Sequence, residues 1–211
     1  TGAIEGMPTQ LLQLTQFTIT ANNSGGSFDL SLNISVVDLV PNISYNPNNI
    51  TMTINKQHNA FELNPTISGP GTITSWELSG PLPNGVEFNE ATGAFSGTAV
   101  ELFDETTYTI WGNNSGGSAN TTFTLKVVDE VPTISYPNQA LVLTNNTESP
   151  DLPLEPMVAG NGSIISWAIN PSNLPNGLSF GTNNGTVWGI PTELWPKQNY
   201  TVTATNTGGE I

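Results

Sequence analysis

Cysteine is absent from this 211-residue chain, which excludes disulfides and thiolate metal sites. Positive charge is nearly absent: 3 Lys and Arg stand against 17 Asp and Glu, for a net charge of −14. A surface so short of cations cannot neutralise phosphates, so nucleic acid is a poor partner and an anionic membrane is disfavoured. No apolar run is long enough to span a bilayer, so no membrane insertion is expected of this segment. Histidine occurs once, at His58. A nucleophile relay would have to be built around that single ring, and no G-x-S-x-G turn accompanies it. His58 sits in the Asn55–Asn59 stretch between strand candidates, where a solvated loop position is expected. The acidic pair Asp104 and Glu105 reads as solvated turn residues, and the chain is not expected to be an enzyme. Helix signals are missing as well, because Pro and Gly punctuate every segment.

What the chain does have is self-similarity. NNSGGS at Asn22–Ser27 returns at Asn113–Ser118, and VPNISY at Val40–Tyr45 returns as VPTISY at Val131–Tyr136. The shifts from 22 to 113 and from 40 to 131 give one period of about 91 residues. A third copy carries LPNG of Leu82–Gly85 to Leu174–Gly177, and NSGG of Asn114–Gly117 to NTGG at Asn206–Gly209. The division is then 1–40 as the second half of a repeat, 41–131 as a complete one, and 132–211 as one lacking its last strand. A start inside a repeat also means that the missing secretory leader carries little weight.

Aligned copies expose a period of two. Phe17, Ile19 and Ala21 match Tyr108, Ile110 and Gly112, then Tyr200, Val202 and Ala204, with Thr mostly between them. After the Gly-Gly turn, Leu32, Ile34 and Val36 match Phe123, Leu125 and Val127. Two such strands joined by N-x-G-G make an antiparallel hairpin. Further strands are expected at Ile50–Ile54, Thr72–Leu78, Val86–Asn89, Ala94–Gly97, Ala140–Leu143, Ile164–Ile169, Leu178–Phe180 and Thr186–Gly189. Roughly seven short strands per copy with regular turns predict an all-β chain of tandem sandwiches.

These motifs, P-x-I-S-Y, L-P-x-G, T-G-x-[FIV]-x-G, N-[ST]-G-G and V-V-D, resemble the putative-Ig, cadherin-like repeats of very large archaeal and bacterial surface proteins. The Asn-rich, acidic composition is similar to versions from marine microbes. The resemblance covers essentially the whole chain and implies extracellular Ig-like sandwiches strung in tandem. It also implies where a metal could sit, since cadherin-like repeats bind Ca²⁺ at module junctions through Asp and Glu oxygens. The candidates here are Asp38 and Asp129, each two residues before Val-Pro, together with Glu130. One or two carboxylates per junction is thin for a shell of six to eight oxygens, and the turn position that is Asp in many relatives is Asn here: Asn23, Asn114 and Asn206. No metal or cofactor is therefore expected, with a weak junctional calcium site as the alternative.

The alignment also sorts the tryptophans. Trp76 and Trp167 share one apolar position and read as core, as does Trp195, which matches Phe103 and Leu12. Trp111 matches Thr20 and Thr203, and Trp188 matches Ser96, so these two are optional to the fold and are candidates for glycan stacking or contact with a neighbouring module. Ten N-x-S/T sequons, from Asn22 to Asn199, fit a glycosylated surface protein.

The expectation for function is a structural or adhesive repeat, a stalk or spacer, secreted or on a cell surface. Its partners would be neighbouring repeats of the same protein, with a surface glycan or protein as the alternative. The third copy lacks counterparts of Leu32, Ile34 and Val36, each worth about 1.5–3 kcal/mol when buried. The first forty residues hold such a hairpin, so head-to-tail self-association by strand complementation is a further expectation.

Overall fold

A computed structural model describes residues 2–211. Its described residues form seventeen strands and no helix. The first two are β1 (Leu12–Asn23) and β2 (Gly26–Val36). The middle module holds β3 (Asn42–Ser44), β4 (Asn49–Thr53), β5 (Thr66–Ser68), β6 (Ser75–Leu78), β7 (Val86–Asn89), β8 (Ala94–Gly97), β9 (Phe103–Asn114) and β10 (Gly117–Val128). The third set is β11 (Thr133–Ser135), β12 (Met157–Ala159), β13 (Ser166–Asn170), β14 (Leu178–Phe180), β15 (Val187–Gly189), β16 (Thr201–Asn206) and β17 (Gly209–Glu210).

In the middle module one face of the sandwich is the sheet β4-β10-β9-β6. The other is made of the β3–β5 and β7–β8 pairs, with Leu63 bridging to Phe95. The alternation seen in sequence becomes the core. Tyr108, Ile110, Phe123, Leu125 and Val127 point inward from β9 and β10, while their Thr neighbours stay outside. They meet Ile43, Tyr45, Phe61, Leu63 and Phe95 from the opposite face. Phe95 is the hub, with ring centroids 4.7 Å from Phe123, 4.9 Å from Phe88 and 5.6 Å from Tyr45. Trp76 is 4% exposed and Trp167 is 6% exposed, so both are core residues as expected.

The N-x-G-G hairpins form as read in β1–β2 and β9–β10, and in the third copy, read as lacking its last strand, the turn leads into the two-residue β17 paired with β16, all antiparallel. Among the described residues the β1–β2 hairpin pairs with no other strand, and Phe17 is 42% exposed where its counterpart Tyr108 is fully buried. The expectation of a strand at Ala140–Leu143 fails. Its counterpart β4 is held by parallel pairing with Thr124–Val128 of β10, and the third module has only the two-residue β17 at that place. Trp195 is 37% exposed and lies in an irregular segment, where the matching Phe103 opens β9 and packs on the core. The strand expected at Thr72–Leu78 begins only at Ser75, and among the residues ahead of it Thr72 turns its N–H to Asp38.

Candidate functional site

Those residues take part in the joint between the first hairpin and the middle module. The chain leaves β2 and reaches Asp38, whose carboxylate accepts two backbone amides: Leu39 N–H at 2.8 Å on Oδ1 and Thr72 N–H at 2.9 Å on Oδ2. The Asp38 N–H donates to Ser115 Oγ at 2.9 Å. The Asn114 side-chain amide donates to the Leu39 carbonyl at 2.6 Å. The hairpin turn of one module and the loop before β6 thus grip the incoming linker, and Pro41 is buried beyond it.

The next joint repeats every part. Asp129 accepts Glu130 N–H at 3.0 Å on Oδ1 and Ser163 N–H at 2.8 Å on Oδ2. Its own N–H donates to Thr207 Oγ1 at 2.8 Å, and Asn206 Nδ2 donates to the Glu130 carbonyl at 2.6 Å. Asp129 is 8% exposed and Pro132 is fully buried. The sequence reading marked Asp38 and Asp129, and it named Asn114 and Asn206 only as a turn position short of a carboxylate; it did not join them to the linker, and it did not single out Ser115 or Thr207. The signal was there in the coincidence of D-x-V-P and N-[ST]-G-G at the same period.

The chemistry of these groups is that of an amide clasp. Both oxygens of each carboxylate face N–H donors. Glu130 turns its side chain away to an ion pair with Lys56, one of the 3 cations in the chain. Among the described residues no three His, Cys, Asp or Glu side chains come together in a metal-binding group.

The aromatic candidates lie elsewhere. Trp188 on β15 is 44% exposed and lines an open groove of about 580 Å³ with Glu148, Glu155, Asn184 and Thr186. Trp111 is half-buried on the outer face of the large sheet, paired in register with Glu77 and Asn120. His58 is tied into its loop, where Nδ1 accepts the Ala60 N–H at 3.2 Å. Asp104 and Glu105 are exposed on β9, where the sequence reading placed them in a turn ahead of it.

Two stretches of the chain, residues 40–128 and 131–210, match the family described as Putative Ig domain. The chain belongs to that family. Each Ig module in it begins just past a junction aspartate, so the clasps join one Ig module to the module or hairpin before it. The Ig chain is 28% identical over 163 residues, 76% of its length, to a serine-rich adhesin for platelets from Staphylococcus aureus strain MRSA252. It is 29% identical over 148 residues, 69% of its length, to the adhesin of the same description from strain USA300. It spans only 12% and 6% of those two relatives. Among solved structures it is similar to the extracellular domain of protocadherin GammaB4, at 17% identity and a TM-score of 0.35 over 92% of this chain and 37% of that one. It is also similar to the I67–I69 fragment of titin, at 14% identity and a TM-score of 0.38 over 93% of this chain and 71% of that one.

Proposed function

We propose that this chain is a spacer segment of an extracellular, adhesin-type surface protein, built from Ig modules divided at residues 41–131 and 132–211. The observation that carries the reading is the duplicated joint. Each linker is fixed by four side-chain hydrogen bonds to backbone or from it, at the same relative positions in both copies. Inter-domain motion is the ordinary expectation for tandem domains, and a fixed joint opposes it. A surface with 17 acids, 3 bases and many Asn, Thr and Ser residues stays solvated without offering a nucleic-acid site. Similarity to the staphylococcal adhesins supports the surface location. Small-angle scattering tests it: a spacer gives one extended particle with a narrow distance distribution, and a compact or broadly flexible particle overturns the reading.

A second reading is favoured by Trp188. Its half-exposed ring beside Glu155, Asn184 and Thr186 combines a stacking platform with polar groups, as a glycan-binding groove requires. Glycan-array binding that disappears in Trp188→Ala supports it, and a blank array removes it. The exposed apolar face of the β1–β2 hairpin favours contact with another module of the same kind, and light scattering that finds only monomer at all concentrations removes that contact.

A further inference from the structure

The linker is approached by four glycines that the backbone conformation does not require. A Cβ on Gly71 would lie 1.6 Å from the Leu39 carbonyl oxygen, and one on Gly116 would lie 1.9 Å from that of Asp38. In the second joint, Gly162 would meet the Glu130 oxygen at 1.8 Å and Gly208 the Asp129 oxygen at 2.1 Å. None of the four has a positive φ, so it is not the left-handed region that requires glycine there; the nearest obstacle to a side chain is a linker carbonyl oxygen in each case, joined at Gly162 by the Asn206 amide at 2.5 Å. Together with the Asn and Ser or Thr between them, they form a socket shaped to an extended Asp-x-Val-Pro segment.

The N-x-G-G turns share one internal bond. In the filled turns Asn114 Oδ1 accepts Gly116 N–H and Asn206 Oδ1 accepts Gly208 N–H, both at 2.8 Å. The turn of the first hairpin makes the same bond, Asn23 Oδ1 accepting Gly25 N–H at 2.8 Å. The bond is local to the N-x-G-G turn and recurs in all three turns.

We propose that each Ig module carries a socket for the Asp-x-Val-Pro end of the module before it, and that this contact locks the joints without calcium. A calcium ion needs six to eight oxygens free to face it. At these joints each carboxylate oxygen already accepts an amide hydrogen, which takes about half of the acceptor directions of the one junction aspartate and sets partial positive charge beside it, leaving too few oxygens for a calcium shell. The linker carbonyls of Leu39 and Glu130 face the Asn114 and Asn206 amide donors. Glu130 is neutralised by Lys56. The inference stands whether the array is a passive spacer or presents a binding groove.

The chain has no cysteine, so Thr122→Cys and Ser179→Cys provide two unique, exposed spin-label positions across the second joint. Pulsed dipolar spectroscopy on the full chain is expected to give one narrow distance distribution in EGTA, unchanged by millimolar CaCl₂. Gly208→Ala and Asn206→Ala are expected to roughly double its width in both buffers, because freed tandem domains move independently. Narrowing on addition of calcium overturns the proposal, and so does an unchanged width in Gly208→Ala. The calcium comparison uses the unmodified joint, so it decides even where a variant fails to fold. Gly116→Ala, read across the first joint, repeats the steric test independently.

Discussion

The phenol of Tyr45 donates to the carbonyl of Gly93 at 2.5 Å, and Gly93 lies flat against the indole of Trp76. Tyr136, Gly185 and Trp167 repeat the arrangement, with a hydrogen bond of 2.6 Å. The tyrosine of the I-S-Y motif thus reaches across its module to hold the turn glycine that roofs the core tryptophan. Removing the hydroxyl leaves a sequestered carbonyl without its donor. Tyr45→Phe is expected to cost the middle module about 1–3 kcal/mol. Urea denaturation followed by tryptophan fluorescence measures it, and an unchanged midpoint would show the bond to be dispensable.

The two roofing glycines should tolerate no side chain. A Cβ on Gly93 or Gly185 would stand 2.6 Å from the nearest tryptophan ring carbon, at φ values of +74° and +70°. Overpacking of about 1–3 kcal/mol adds to a strained backbone of similar cost. Gly93→Ala is expected to lower the stability of the middle module by several kcal/mol and to shift Trp76 emission to the red, as seen by calorimetry and fluorescence.

Burial raises the pKa of Tyr45, Tyr108 and Tyr136 above the ordinary phenol value near 10. Above pH 10 the unfolded chain gives up these protons while the folded chain keeps them. Stability is thus fully present below pH 10 and declines as pH rises from there towards the folded values. The slope is about 1.4 kcal/mol per pH unit for each phenol held protonated. Urea midpoints taken in steps above pH 10, with tyrosinate absorbance alongside, check this. Phenolate absorbance from all four tyrosines while the fold persists would contradict it.

A third repeated clasp closes the L-P-N-G turns. Glu101 Oε1 accepts the Asn84 N–H and Glu193 Oε1 accepts the Asn176 N–H, both at 2.7 Å. These groups are solvent-exposed, so Glu101→Ala is expected to cost only about 0.5–1.5 kcal/mol, near the net value of one hydrogen bond. Glu101→Gln should recover part of that, since its amide oxygen still accepts. Equal losses in the two variants would assign the effect to charge.

The ion pair of Lys56 with Glu130 is half exposed, and pairs of that kind contribute about 0–1 kcal/mol. Lys56→Met should leave the melting temperature nearly unchanged at low and high salt. A clear loss at low salt alone would make Lys56 part of the joint.

The alternation of Tyr108 and Ile110 with threonines made β9 legible, and copy-to-copy agreement picked out Trp76 and Trp167 as core. Pairing across the sandwich was legible only where both partners carry a pattern. The three-residue strands β3 and β5, joined through Asn42–Ser44 and Thr66–Ser68, are too short to show a period. Ala140–Leu143 has the composition of a strand, but strand state also depends on a neighbour, and β4 is a strand because β10 lies beside it. The joints were half legible. Asp38 and Asp129 were marked by their position, but which groups satisfy them depends on residues 34 and about 77 positions further on. No local spacing rule connects those.

The parallel pairing of β4 with β10, from Asn49 beside Thr124 to Thr53 beside Val128, decides how the middle module answers a pull on its two ends. Tension enters on the Pro41 side, ahead of β4, and leaves through Asp129, directly after β10. Two parallel strands drawn in opposite directions slide along their length, so the five aligned positions resist together instead of opening one at a time. Forced unfolding is governed by the unfolding rate, and a shear patch at the points of attachment slows that step most directly. A tether made of such modules would extend in abrupt steps, one module at each step, with the slack between steps set by the length of one repeat.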